Sequence, residues 1–293
     1  MVLAIVRLSV PAVGTFRDDG VYLSSAQSIV QGRGYRLLNI PGELPNTKYP
    51  PLTSFIAAIP YAAGKDPIRN PFVFKGSIFM FYLMWLYSIY RIGSVAAIGT
   101  KAQGWILACT MANSLAAYCG TSVLSDVPAA ALTTAGIAAL LKSFYGRRRP
   151  MIWAALAGFA FGLAVLTRTF AAAMIIPMIL FLAKQRLFKR LACVAVLCFV
   201  ISAPWFVWAG LQFGSGGNPV LDYYTGRNYQ DWWVWNSEEN RKWPQVVFAN
   251  AIVALAAPVV AAGLRNVFVG VFVSSLCLLL CFRALKRPLE QAL

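Results

Sequence analysis

No feature of this chain constrains its fold more than its succession of apolar segments, each closed by a short polar or basic loop. These segments fall at about 72–98, 103–121, 127–144, 151–166, 170–183, 191–211, 246–264 and 267–282. A helix of about 20 apolar residues crosses a bilayer core of roughly 30 Å. Only 12% of the 293 residues are charged, about half the share of a soluble domain. In lipid, a helix satisfies its own backbone hydrogen bonds. The fold class that follows is all-α: a polytopic helical membrane protein.

The formal net charge is +16. In a soluble protein that would point to nucleic acid. Here the basic residues lie in short loops between apolar spans, so the membrane topology rule accounts for most of them, and no nucleic-acid partner is expected. Lys142 with Arg147, Arg148 and Arg149, and Lys184 with Arg186, Lys189 and Arg190, mark inside loops, and Lys101 agrees. Counting crossings from these places residues 17–71, the Ser125-Asp126 turn, Thr167-Arg168 and the loop 212–245 outside. Asp18, Asp19, Glu43, Asp66, Asp126, Asp222, Asp231, Glu238 and Glu239 all fall on that side, and only Glu290 does not follow from the scheme. Acidic residues carry little topological weight, so this sorting reads as a working face. The chain has no His, the commonest general base and metal ligand. Its six cysteines lie within apolar segments, without a CxxC pair. No metal site or cofactor is therefore expected; a divalent ion is conceivable but has no support in the residues.

Residues 1–16 read as a short first span of roughly 24 Å, interrupted by Arg7, with no cleavage site after it. From Gly20 to Gln31 the pattern turns amphipathic. Tyr22, Leu23, Ala26, Ile29 and Val30 fall on one helical face and Ser24, Ser25, Gln27, Ser28 and Gln31 on the other, which suits a helix lying in the interface plane. Gly32-Arg33-Gly34 ends it. A loop to Lys48 leads into a second short helix over 51–63, opened by Pro50-Pro51. The expected organisation is a transmembrane catalytic module over 1–211, an extracytoplasmic aromatic-rich loop over 212–245, and C-terminal membrane segments over 246–293. Two crossings in that last part would put Arg283, Lys286 and Arg287 outside. Either 246–282 holds one crossing, or a further helix belongs after it. No internal repeat is visible, so an inverted-repeat transporter has no support.

Charges at a membrane edge are costly and mark candidate functional sites. Asp18 and Asp19 sit side by side at the end of the first apolar stretch. Capping the helix that follows needs only one of them. The second adds like-charge repulsion, which raises a carboxyl pKa and tunes a general base. Asp126, in Leu124-Ser125-Asp126-Val127-Pro128, reads as a helix cap, as a functional acid, or as both. Lys48 stands beside a helix N-terminus, an arrangement that holds anions, though a snorkelling interfacial Lys has the same pattern. The segments 151–166 and 170–183 are short, so the break at Leu166-Thr167-Arg168-Thr169 should lie below the outer surface. A guanidinium there suits a phosphate. Tyr223, Tyr224, Tyr229, Trp232, Trp233, Trp235 and Trp243 in the loop 212–245 could stack on sugar rings, or form the interfacial aromatic belt.

Five motifs occur in a telling order: Phe16-Arg17-Asp18-Asp19-Gly20-Val21-Tyr22-Leu23, Gly32-Arg33-Gly34-Tyr35, Lys48-Tyr49-Pro50-Pro51-Leu52, Leu124-Ser125-Asp126-Val127-Pro128 and Leu166-Thr167-Arg168-Thr169. Across about residues 15–210 the chain resembles membrane glycosyltransferases of the GT-C class. The resemblance is to the group of protein O-mannosyltransferases, lipid A aminoarabinose transferase and rhizobial lipopolysaccharide sugar transferases. It implies a GT-C-like module whose first extracytoplasmic loop carries two interfacial helices, and a polyprenyl-phosphate-linked sugar donor. It implies an acidic base at Asp18, an orienting acid at Asp126, and a donor phosphate held by Lys48, with Tyr49 beside it in the motif, and by Arg168. Many members have Asp-Glu where this chain has Asp18-Asp19.

The expected activity is transfer of a sugar from a polyprenyl-phosphate-linked donor to an acceptor hydroxyl on a lipid, glycan or protein. The expected place is the extracytoplasmic face of the cell (inner) membrane, among membrane lipids. Asp18, Asp19 and Asp126 are the catalytic candidates; Lys48, Tyr49 and Arg168 are the donor-phosphate candidates. The rival reading is a non-catalytic lipid-phosphate or anion transporter or flippase. Lys75 and Arg91 are the main charges within spans, and no acidic residue lies inside one, which argues against a proton-coupled pump.

Overall fold

A computed structural model describes Leu8 and residues 17–146, 148–169 and 171–212. The expected first span over 1–16 apart from Leu8, the aromatic loop beyond residue 212 and the C-terminal segments lie outside the described residues. Among the described residues the chain is helical, with one isolated bridge between Arg36 and Pro45. The helices are α1 (Arg17–Val30), α2 (Leu52–Ala62), α3 (Pro71–Val95), α4 (Thr100–Ala112), α5 (Ser114–Gly120), α6 (Asp126–Tyr145), α7 (Pro150–Thr167), α8 (Ala171–Lys184) and α9 (Phe188–Gln212). Four of them, α3, α6, α7 and α9, are long and apolar enough to cross a membrane.

The bundle is centred on α7, which packs between α6 and α9, while α6 also packs on α3. Phe161, Ala154, Ala157 and Val165 of α7 meet Leu140, Leu182 and Val194 in one core. Small residues let the axes approach closely, as membrane helices require without a hydrophobic drive between them. A Cβ built on Gly158 would lie 2.7 Å from the Val194 carbonyl oxygen, so no larger residue fits there without moving α9. The helices α6 and α7 form an antiparallel hairpin. Asp126 and Arg168 therefore emerge at one end, and Lys142, Arg148 and Arg149 at the other.

Short helices α1 and α2 pack together beside this bundle. Tyr22, Leu23 and Ala26 of α1 bury against Ala57 and Ala58 of α2, with Phe74 and Val123 completing the cluster. Gly32 and Gly34 take φ of 73° and 82°, conformations that only glycine adopts cheaply. The chain then folds back as a loop, pinned by Leu37 N–H on the Leu44 carbonyl (2.9 Å) and by the Arg33–Glu43 ion pair.

Three sequence expectations are corrected. First, α1 begins at Arg17, so Asp18 and Asp19 occupy its first turn and do not cap it from outside. Second, the polar face of α1 does not lie open to an interface. Ser25 and Ser28 are fully buried while Val30 is exposed. At Ser24 and Ser25 the returning loop covers this face: Asn46 Nδ2 donates to Ser25 Oγ (2.9 Å), and Ser24 Oγ accepts from Leu38 N–H (2.8 Å). Third, the apolar run 103–121 is not one helix. Asn113 leaves helical geometry with φ −68° and ψ 106°, and its Oδ1 accepts from Ala116 N–H at 3.1 Å. That cap ends α4 and opens α5.

Candidate functional site

A cavity of about 210 Å³ opens where α1, the segment before α2, and the end of α7 meet. It is lined by Asp18, Tyr22, Tyr49, Pro50, Thr167, Arg168 and Thr169. That is room for a charged headgroup.

Each wall has a local cause. Asp18 lies in the first turn of α1, where free N–H groups and the helix dipole favour a carboxylate. Tyr22 lies four residues on, one turn below Asp18 on the same face. Asp19 points elsewhere: it is 2% exposed and does not line the cavity. Tyr49 reaches in from the segment before α2. Its hydroxyl donates to Asp18 Oδ1 at 2.9 Å. Its backbone is held from behind by Tyr35, whose hydroxyl donates to the Tyr49 carbonyl (2.9 Å), and by Asn46, whose Oδ1 accepts from Tyr49 N–H (3.3 Å). Tyr22 and Tyr49 meet edge to face, 5.5 Å between ring centroids, a favoured aromatic geometry.

The opposite wall is cationic. At the end of α7 the backbone turns extended at Arg168 (φ −148°, ψ 124°), which carries the guanidinium out of the bundle. Arg168 Nε donates to Ser125 Oγ at 2.9 Å, and Nη1 pairs with Asp126 Oδ1 at 2.9 Å. The carboxylate of Asp18 and the guanidinium of Arg168, more than a hundred residues apart, thus line one cavity.

The other candidates stand around it. Asp126 is the first residue of α6 and not its N-cap; the N-cap is Ser125, whose side chain makes no capping bond. Asp126 touches the site through Arg168. Lys48 does not line the cavity; its Nζ lies 5.5 Å from the centroid of the Tyr49 ring, within cation–π range. Among the described residues no group of three or more His, Cys, Asp or Glu is placed to hold a metal ion.

Two residues escaped the sequence reading. From sequence, Tyr22 falls on the apolar face of α1 and within the Phe16–Leu23 motif with no role of its own, although its spacing of four from Asp18 carries the signal. Its hydroxyl donates to Ser125 Oγ at 2.8 Å. Burial, the largest influence, pushes the phenol well above the usual tyrosine range, and the Ser125 bond opposes it. At neutral pH Tyr22 is therefore a donor to Ser125. Ser125 itself is fully buried, and nothing in its sequence neighbours distinguishes it from a capping serine.

Comparisons with known proteins bear on the same region. The sequence model of the Alg9-like mannosyltransferase family matches residues 48–209, more than half of the chain. That match includes Lys48, Tyr49, Asp126 and Arg168 and begins after Asp18. Among solved structures the chain is similar to ArnT from Cupriavidus metallidurans in the apo state, with a TM-score of 0.58 and 16% identity. The similarity covers 93% of this chain and 53% of that one, so the chain spans about half the length of that protein. At this identity the likeness is one of fold. No curated protein matches the chain by sequence.

Proposed function

The chain belongs to the Alg9-like mannosyltransferase family, a GT-C-class glycosyltransferase family, and from that premise we propose that it transfers a sugar from a polyprenyl-phosphate-linked donor to an acceptor hydroxyl. The observation that carries this reading is the single cavity lined by both Asp18 and Arg168.

In this mechanism Asp18 takes the proton of the acceptor hydroxyl. The freed oxygen attacks the anomeric carbon, and the bond from that carbon to the phosphate oxygen breaks. The electron pair leaves with the lipid phosphate, and configuration inverts. Arg168 stabilises the charge that grows on the departing phosphate, and Lys48 adds positive potential from behind Tyr49. Tyr49 orients the base. A carboxylate has about four lone-pair sites, so the bond from Tyr49 leaves Asp18 able to accept a proton. Asp19 supports the charge of the first turn, and Asp126 holds Arg168. The size of the cavity suits a phosphate and the reacting end of a sugar, with the polyprenyl chain lying in the bilayer.

We place the site on the extracytoplasmic face of the inner membrane. The support is the α6–α7 hairpin. These helices have 20 and 18 residues, or about 30 and 27 Å, close to the thickness of the bilayer core. The cavity lies at one end and the basic cluster at the other, and basic clusters stay inside. The acceptor is a lipid, glycan or protein hydroxyl that reaches this face.

The test is incubation of purified protein with a panel of polyprenyl-phosphate sugars, reading release of polyprenyl phosphate and formation of the glycosidic bond. Release coupled to bond formation is expected. Lipid or anion flux in vesicles with no bond formed for any donor would favour a transporter and overturn the reading.

A further inference from the structure

We propose that Ser125 is a positioning residue, the buried pivot that fixes the plane of the Arg168 guanidinium, with Tyr22 as its support. The proposal rests on the reading of this cavity as the place where a lipid phosphate is held.

An arginine at the end of a helix has many rotamers, and the pair with Asp126 does not fix one. Both side chains of that pair are about two-fifths exposed, at 42% and 41%, and ion pairs in water are weak and mobile. The bond to Ser125 differs. Ser125 is fully buried, and it meets Nε, the atom where the guanidinium joins its stem, at 2.9 Å. Nε lies in the guanidinium plane, so its bond to a buried oxygen restrains that plane. Nη2 has no partner among the described residues, and Arg168 lines the cavity, so donors remain for a phosphate.

Both acceptor positions of the pivot are used. A hydroxyl oxygen has two acceptor positions. The Tyr22 hydroxyl takes one at 2.8 Å and Arg168 Nε takes the other. Tyr22 is itself 1% exposed, with its ring packed among Leu23, Ala26, Ala57 and Phe74. It also sits one turn from Asp18 on α1. A path of rigid pieces therefore runs from Asp18 through α1 to Tyr22, then Ser125, then Arg168. It sets the separation between the base and the phosphate-binding cation. Sites that must hold geometry to a fraction of an ångström need such second supports on regular elements.

The experiment measures donor KM, kcat and the affinity for polyprenyl phosphate alone, on the full chain in lipid nanodiscs. Ser125→Ala is expected to raise donor KM and weaken polyprenyl-phosphate binding about tenfold, as loss of a hydrogen bond to a charged group does, with acceptor KM unchanged. Tyr22→Phe keeps the buried ring and is expected to shift both in the same direction by about threefold. It carries the test if Ser125→Ala lowers the yield of folded protein. In an Arg168→Lys background, which has no Nε, Ser125→Ala is expected to add less than about twofold. A role confined to packing would give the same factor in both backgrounds, and that result overturns the proposal. So does a Ser125→Ala protein whose donor KM and polyprenyl-phosphate affinity match the parent. If Arg168→Ala itself binds polyprenyl phosphate normally, the cavity reading falls and takes this proposal with it. A normal response to Arg168→Ala with a silent Ser125→Ala removes the pivot alone.

Discussion

The two ends of the α6–α7 hairpin use the same residue types in opposite ways. At the basic end, Arg190 Nη1 donates to the Ser143 backbone carbonyl (2.7 Å), and Ser143 Oγ donates to the Pro150 carbonyl (2.7 Å). Lys142 lies over the Trp153 ring at 3.8 Å. Here the arginine closes a carbonyl in the last turn of α6, where cations are favoured, and the serine ties that turn to the start of α7. At the cavity end, Arg168 bonds no carbonyl through its side chain among the described residues. Its partners are a serine hydroxyl and a carboxylate, and they orient it beside an opening. One arginine closes a backbone carbonyl; the other is bound by side chains beside a cavity. An arginine's partners, more than its burial, separate the two roles.

That contrast can be broken most sharply by alanine at each arginine. Arg168→Ala is expected to lower transfer by about a thousandfold, the scale of losing a preorganised donor to developing charge, with little change in thermal stability. Arg190→Ala is expected to do the reverse: turnover per folded molecule stays within about twofold, and the melting temperature falls by a few degrees, as loss of a helix-terminal partner does. Paired kinetics and thermal unfolding of the two variants check both. Equal loss of activity from the two would erase the distinction.

A smaller effect is expected at Tyr49. Tyr49→Phe removes the donor to Asp18 and keeps the ring against Tyr22, so kcat should fall about tenfold with donor KM nearly unchanged. Steady-state kinetics separate that pattern from the Ser125 pattern, which falls on donor KM.

The smallest effect is in pH. Burial raises the phenols of Tyr22 and Tyr35 above the ordinary tyrosine value. A group whose pKa is raised on folding contributes stability that is present below its unfolded pKa and lost as pH rises through its folded one. The cavity end should therefore loosen before the basic end once pH passes about 10. Hydrogen exchange on α1 and on the α6–α7 turn, compared at neutral and alkaline pH, reads that order.

Much of this arrangement was legible in the residues. The lengths of 151–166 and 170–183 pointed to a break at Arg168, and α7 does end there, with an extended residue carrying the guanidinium out. Glycine spacing marked the end of α1, and the two prolines the start of α2. Other features were not legible because they depend on packing between distant parts. Ser24 and Ser25 look like a solvated face until a returning loop bonds to them. Asn113 looks like one polar residue in an apolar run until its side chain caps α5. Ser125 and Asp126 look alike as caps. Only the approach of Tyr22 and Arg168 from two other helices shows that the serine is an acceptor for both. The bond from Tyr49 to Asp18 likewise depends on how the loop 31–48 folds back, which no local pattern encodes.

The most direct test of the central claim is Asp18→Asn, assayed for both sugar transfer and binding of polyprenyl phosphate. The amide keeps the size of the side chain and cannot take up the acceptor's proton. The account predicts that transfer is abolished while polyprenyl-phosphate binding stays within about twofold of the parent, because Arg168 and its supports are untouched. Full transfer by Asp18→Asn would contradict it.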